Sequence, residues 1–358
     1  MSKTKQSVTF ALLLPVFCLL TAGVLYYPQE MSVGISHGIN YSLAVLLPSL
    51  FPFMFLVSFA SASGIADVIG NRISDFTNRV LSLPGDASVT VVLSLIGGYP
   101  VGAVGISELL RKKRITCAQA RRMLLFCVNP GPAFLINTIG ITLLHDQRIG
   151  LVLLCANTIS ALIIGVVSGV FSKEPQGETK FPTAAVIDRN IPDAVVTAVK
   201  SSCGGCVSLC SFVVLFSGFS QVLLSIIPFG SDLYKVLLQA FLEATDGASA
   251  LCEMRLPIYV IAAAAAWGGV CVHLQVMAAV PEIKVMSAWF VLGRLTMAFL
   301  SAGVTYLICR YVCPDVEVFS NISETAAAAS SLAPNGSIML LVCCIMFLIF
   351  IMPCYSDN

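Results

Sequence analysis

An all-α, polytopic membrane protein is what this sequence predicts: about eight transmembrane helices plus two re-entrant helical hairpins, arranged as an inverted repeat. Three observations carry that reading. Of 358 residues, 57% are hydrophobic and 11% charged, where an ordinary soluble domain carries about 25% charged. Mean hydropathy is accordingly +0.91, and too few groups remain to face water. The apolar residues gather in long blocks with short polar joints, and Lys and Arg fall between the blocks in a way that favours one topology. A water-soluble enzyme does not fit this composition, nor does a disordered chain, which needs low hydrophobicity and high net charge. With 20 Lys+Arg against 19 Asp+Glu the net charge is +1, so no field draws the chain to nucleic acid.

Taken in order, the first apolar run, Val8 to Tyr27, follows Lys3 and Lys5. A secretory signal has such a start, but the run is long enough to span and lacks a small-x-small cleavage site, so it reads as a retained helix. Further blocks occupy 39–63, 87–110, 120–144, 149–171, 200–229, 233–254, 256–280, 284–312 and 337–353. If all ten cross, the positive-inside rule fails, with seven Lys/Arg in the cytoplasm and twelve outside. If 87–110 and 233–254 instead dip in and return, fifteen lie inside and four outside, with Arg294 within a span in both cases. The charges thus favour eight crossings, two hairpins and cytoplasmic termini. A kinked plain span is the alternative for each hairpin.

Local sequence agrees with the hairpins. The first contains Gly97-Gly98-Tyr99-Pro100-Val101-Gly102, which breaks a straight helix. The second contains the polar turn Glu243-Ala244-Thr245-Asp246-Gly247. Backbone unpaired at membrane depth must be buried in protein or line a wet cavity, so both turns should face the interior. The order span, hairpin, broken span, span then occurs twice, over 39–171 and 200–312, with opposite orientation. The remaining parts are an N-terminal helix and loop (1–38), a cytoplasmic linker (172–199) and an extracytoplasmic loop with a last helix (313–358). Inverted repeats of discontinuous helices are a transporter architecture with its site near the midplane.

The two interruptions are Asn129-Pro130-Gly131-Pro132 and the stretch from Trp267-Gly268-Gly269 to His273 and Gln275. Pro130 and Pro132 remove two amide donors and free carbonyls able to bind a cation or a polar solute. A proline kink used for packing is the alternative.

In order, Gly98-Tyr99-Pro100-x-Gly102-Ala103, Asn129-Pro130-Gly131-Pro132, Glu243-x-Thr245-x-Gly247 and Gly268-Gly269-x-x-Val272-His273-x-Gln275 resemble the sporulation integral membrane protein YlbJ family. That family belongs to the wider group with the nucleoside recognition, or Gate, domain, similar to the core of concentrative nucleoside transporters and to the membrane part of FeoB iron transporters. The resemblance spans about 40–312. It implies a bacterial cell membrane location and a role in spore formation.

Ionisable groups at membrane depth cost about 2.5–3.5 kcal/mol and point to function. Glu243 and Asp246 are therefore candidates for a proton- or cation-coupling carboxylate, Glu243 lying deeper and Asp246 having a solvated turn as its alternative. Tyr99, Asn129, Glu243, Thr245, His273 and Gln275 are the expected substrate-binding residues. His273 and Gln275 lie two apart, so both line one cavity only if the chain unwinds after Gly269. Arg294 needs a counter-charge, with Glu243 or Asp246 the expected partner, and Glu108 is expected to pair at the interface.

The basic run Arg111–Arg122 reads as a topology determinant touching anionic lipid. Fourteen cysteines lie mostly in apolar blocks. Cys203, Cys206 and Cys210 read as small packing residues rather than a metal site, for want of a fourth ligand. No phosphate-cradling loop or hydrolase motif is present, so neither a cofactor nor an enzyme activity is expected. Two functions remain: a carrier of a small polar solute, or a non-transporting membrane assembly factor.

Overall fold

The computed structural model describes residues 21–172, 190–228, 230–283 and 288–313. Most of the run 8–27, most of the linker 172–199 and nearly all of 313–358 lie outside the described residues. Five helices are long and apolar enough to cross a membrane. They are α1 (Pro28–Ser63), α7 (Gln147–Val170), α8 (Ile191–Ile226), the joined pair α11 (Ile258–Trp267) and α12 (Gly269–Ala279), and α13 (Ala288–Tyr311). Of the eight predicted crossings, two fall outside the described residues. One more, 120–144, is split into shorter helices, α5 (Cys117–Phe126) and α6 (Ala133–Leu143). Among the described residues every element is helical.

The chain starts α1 at Pro28, well before the expected 39. Proline is preorganised for a first turn, and Gly34 and Gly38 continue the helix because they are its contact strip. A Cβ on Gly34 would lie 2.5 Å from Ser217 O, and one on Gly38 2.8 Å from Val214 Cα, so α1 and α8 pack at backbone distance. Such small-residue strips are how helices associate in lipid. A π-helical turn, Ser42–Leu46, lies within α1. The amphipathic α2 (Ile65–Leu81) leads into the first hairpin.

That hairpin is α3 (Ala87–Gly97) and α4 (Tyr99–Arg111), reversing at the single residue Gly98. The arms run antiparallel: Gly97 packs on Val101, Gly102 on Ser94 and Gly105 on Thr90. The second hairpin is α9 (Asp232–Leu242) and α10 (Ala244–Glu253), reversing at Glu243, with Gly247 against the backbone of Ala240. The element order of the first half therefore recurs in the second, and equivalent neighbours touch: α4 meets α12, and α10 meets α6.

Four members of the basic run have partners within the protein. Lys112 pairs with Glu108 at 2.6 Å, as the sequence led us to expect for Glu108, and Arg114 pairs with the buried Asp86 at 2.9 Å. Arg111 approaches Glu282 at 4.0 Å, and Arg122 donates to the carbonyls of Leu81 and Ser82. On the Cys203–Cys210 face, Gly205 admits the methyl of Met54, and Cys206 Sγ lies 3.4 Å from Met54 Sδ.

Candidate functional site

Two chain reversals and two helix interruptions converge. Gly98 has φ +81° and ψ −168°, a conformation open essentially to glycine alone. It seats directly on the first interruption, since a Cβ on Gly131 would lie 2.9 Å from Gly98 N. In the second repeat Glu243 sits equivalently on the second interruption: a Cβ on Gly269 would lie 2.9 Å from Glu243 N and Cα. Gly268 and Gly269 both have left-handed φ, +81° and +73°.

An α-helical carbonyl accepts from the amide four residues on. Pro130 and Pro132 lack that amide, so the carbonyls of Phe126 and Val128 are orphaned. The break at Gly268-Gly269 similarly frees Ala265 and Ala266. All four find side-chain donors. Asn129 Nδ2 donates to Phe126 O, Tyr99 Oη to Ala265 O, and the guanidinium of Arg294 to both Val128 O and Ala266 O. The expectation that these carbonyls face a cation or solute is thus corrected, because an unpaired buried carbonyl is costly and the protein satisfies its own.

The expected counter-charge for Arg294 is corrected too. Arg294 is fully buried, and its donors go to carbonyls at two helix C-terminal ends, which carry partial negative charge. No ion pair joins it to Glu243 or Asp246 among the described residues.

Between the two tips lies a cavity of about 40 Å³, room for roughly three water molecules at 10–15 Å³ each. Tyr99, Glu243, Thr245 and Gln275 line it, with Gly98, Gly131 and the apolar Met54, Phe134 and Val213. Glu243 Oε2 accepts from the amides of Thr245 at 2.8 Å and Asp246 at 2.7 Å, so the carboxylate caps α10. Gln275 Nε2 reaches Cys271 Sγ at 3.4 Å, while Oε1 has no hydrogen-bond partner.

The other expected site residues lie elsewhere. Asn129 is buried behind Gly98, outside the cavity lining. His273 turns away, as the spacing on a regular helix requires. Its Nδ1 is 2.7 Å from Gly269 O, and its ring packs on Trp267 (4.4 Å between centroids) and Phe290 (5.2 Å). Asp246 is 8% exposed, contrary to a solvated turn, and faces away from the cavity. Ser217 donates to its Oδ2, and His37 Nδ1 lies 3.5 Å from Oδ1. Sequence reading missed His37 and Ser217. The signal was the Gly34–Gly38 strip around His37, which marks a helix face rather than a loop.

Residues 43–174 match the family model described as nucleoside recognition, named Gate. The match runs from the π turn of α1 to just past α7, and so includes the first hairpin and the first interruption. No curated protein and no solved structure matches the chain.

Proposed function

We propose that this chain is a multi-pass carrier of a small polar solute, of the secondary-transporter kind, working by alternating access in a bacterial cytoplasmic membrane. In this reading the two hairpins are re-entrant, the repeats are inverted, eight helices cross the bilayer and both termini are cytoplasmic. The chain has no catalytic activity and no nucleic-acid partner. Glu243 is the coupling carboxylate, and Tyr99, Thr245 and Gln275 contact the solute. The observation that carries the reading is the meeting of two hairpin tips and two interrupted helices around one cavity containing a carboxylate and an unpaired amide oxygen. Interrupted helices at membrane depth are where transporters bind solutes, and the Gate match over the first repeat supports the same class.

The test is flux into proteoliposomes under a proton or sodium gradient, across a panel of nucleosides, amino acids and organic acids. Gradient-dependent uptake abolished by Glu243→Gln supports the carrier, and absence of flux for every solute counts against it. Labelling of Lys112 and Lys113 from the outside would overturn the topology.

A second reading, a membrane assembly factor in spore formation, is favoured by the size of the cavity. At about 40 Å³ it is far below the 300–1,000 Å³ of ordinary small-molecule sites. A deletion strain whose sporulation defect is rescued equally by wild type and Glu243→Gln, with no flux from either, decides for it.

A further inference from the structure

A second and larger pocket, about 540 Å³, lies between α1, α8, α9 and α10, on the far side of the second hairpin from the central cavity. We propose that it binds a small primary alkylammonium ion, with Asp246 as the anionic anchor.

The charge inventory of the lining comes first. Asp232 and Lys235 on α9 pair with each other at 2.9 Å and so cancel. Asp246 and Glu253 on α10 remain, against His37 on α1, while α8 contributes only uncharged groups. The pocket is therefore acidic and disfavours anions.

The second observation is the state of Asp246. Its side chain is more than nine-tenths buried. Oδ2 accepts from Ser217, Oδ1 has only His37 Nδ1 at 3.5 Å, beyond ordinary hydrogen-bond length, and the buried Oγ of Ser220, also in the lining, has no hydrogen-bond partner. A buried carboxylate oxygen without a donor at hydrogen-bond distance is costly. An ammonium supplies three N–H donors and the opposite charge.

The third is shape. Val33, Leu224, Val236 and Met254 form apolar wall, which suits an alkyl tail and leaves a bare metal cation unaccompanied. Among the described residues no trio of His, Cys, Asp or Glu is placed to hold a metal. The volume lies within the range of small-molecule sites. The inference does not depend on transport, because binding is read at equilibrium.

The experiment is calorimetric titration of the full-length protein in nanodiscs with n-butylammonium, using n-butanol as the uncharged match and sodium chloride as competitor. The expected result is saturable butylammonium binding, none by butanol, and a loss of at least about tenfold in Asp246→Asn, the effect of removing one charge-assisted hydrogen bond. Absence of saturable binding, equal binding of butanol, displacement by equimolar sodium, or an unchanged affinity in Asp246→Asn each overturn the proposal.

Should Asp246→Asn fail to fold, His37→Cys with Asp246 intact decides the question. Butylammonium should slow its labelling by a cationic methanethiosulfonate several-fold, and an unchanged labelling rate refutes the site.

Discussion

Gly102→Ala sets helix propensity against packing, and the two predict opposite signs. In a helix interior alanine is favoured over glycine by about 0.5–1 kcal/mol. At position 102 the added Cβ would lie 1.9 Å from Cys127 O, 2.9 Å from Cys127 C and 3.0 Å from Ser94 Cβ. A carbon and a carbonyl oxygen ordinarily approach to about 3.3 Å, so α4 and the end of α5 must separate by roughly 1.4 Å. The two closest of these atoms are backbone, and no rotamer relieves them. Overpacking of this kind costs about 1–3 kcal/mol, which outweighs the propensity gain. The net loss of about 1–2 kcal/mol corresponds to a fall in Tm of roughly 2–8 °C.

Gly204→Ala and Gly303→Ala are the internal controls, since a Cβ at either position meets nothing within 4 Å. They should hold or raise Tm. Melting followed by intrinsic fluorescence in one detergent compares the three directly. A Gly102→Ala protein as stable as Gly204→Ala would refute the close seating of the first hairpin on the first interruption.

Two further outcomes follow from contacts away from the cavity. His273→Phe keeps the ring contacts with Trp267 and Phe290 but loses the bond to Gly269 O, so stability should drop by about 0.5–1.5 kcal/mol with solute affinity unchanged. A fall in affinity at constant Tm would instead place His273 in the site. Asp146, outside the spanning helices, caps α7 and is held below the usual carboxylate range first by its hydrogen bond from Arg148. A depressed folded value means that its contribution is present above the unfolded carboxylate pKa of about 4 and is lost as pH falls through the folded value. Because Arg148 is largely exposed and Asp146 partly so, that contribution is under about 1 kcal/mol. The Tm gap between wild type and Asp146→Asn should therefore be small at pH 7 and close below pH 4; a gap constant with pH would contradict the assignment.

The places where helices stop were legible in the sequence because the chemistry of stopping is local. Pro130 and Pro132 cannot donate, and Gly98, Gly268 and Gly269 adopt backbone conformations that side chains resist. Glu243 announced its turn because a carboxylate in an apolar run needs amide donors, and it found them two and three residues ahead. What was not legible is the destination of the freed carbonyls. Arg294 is 166 residues from Val128, and an apolar period says which face of a helix is inward without saying which neighbour waits there. The same limit hid His37 and Ser217, which reach Asp246 from two different helices. The early start of α1 escaped for a related reason: Gly34 and Gly38 would weaken an isolated helix, yet between two long helices they permit the contact that stabilises both.

Arg294 fastens the ends of two interrupted helices, one from each half of the chain, with a single side chain. Sliding one half past the other would strip a buried guanidinium and two carbonyls of their partners at once, with no water at hand to replace them. Motion that carries both interruptions as one block leaves that rivet whole. The stiff axis of the molecule thus runs through one buried guanidinium.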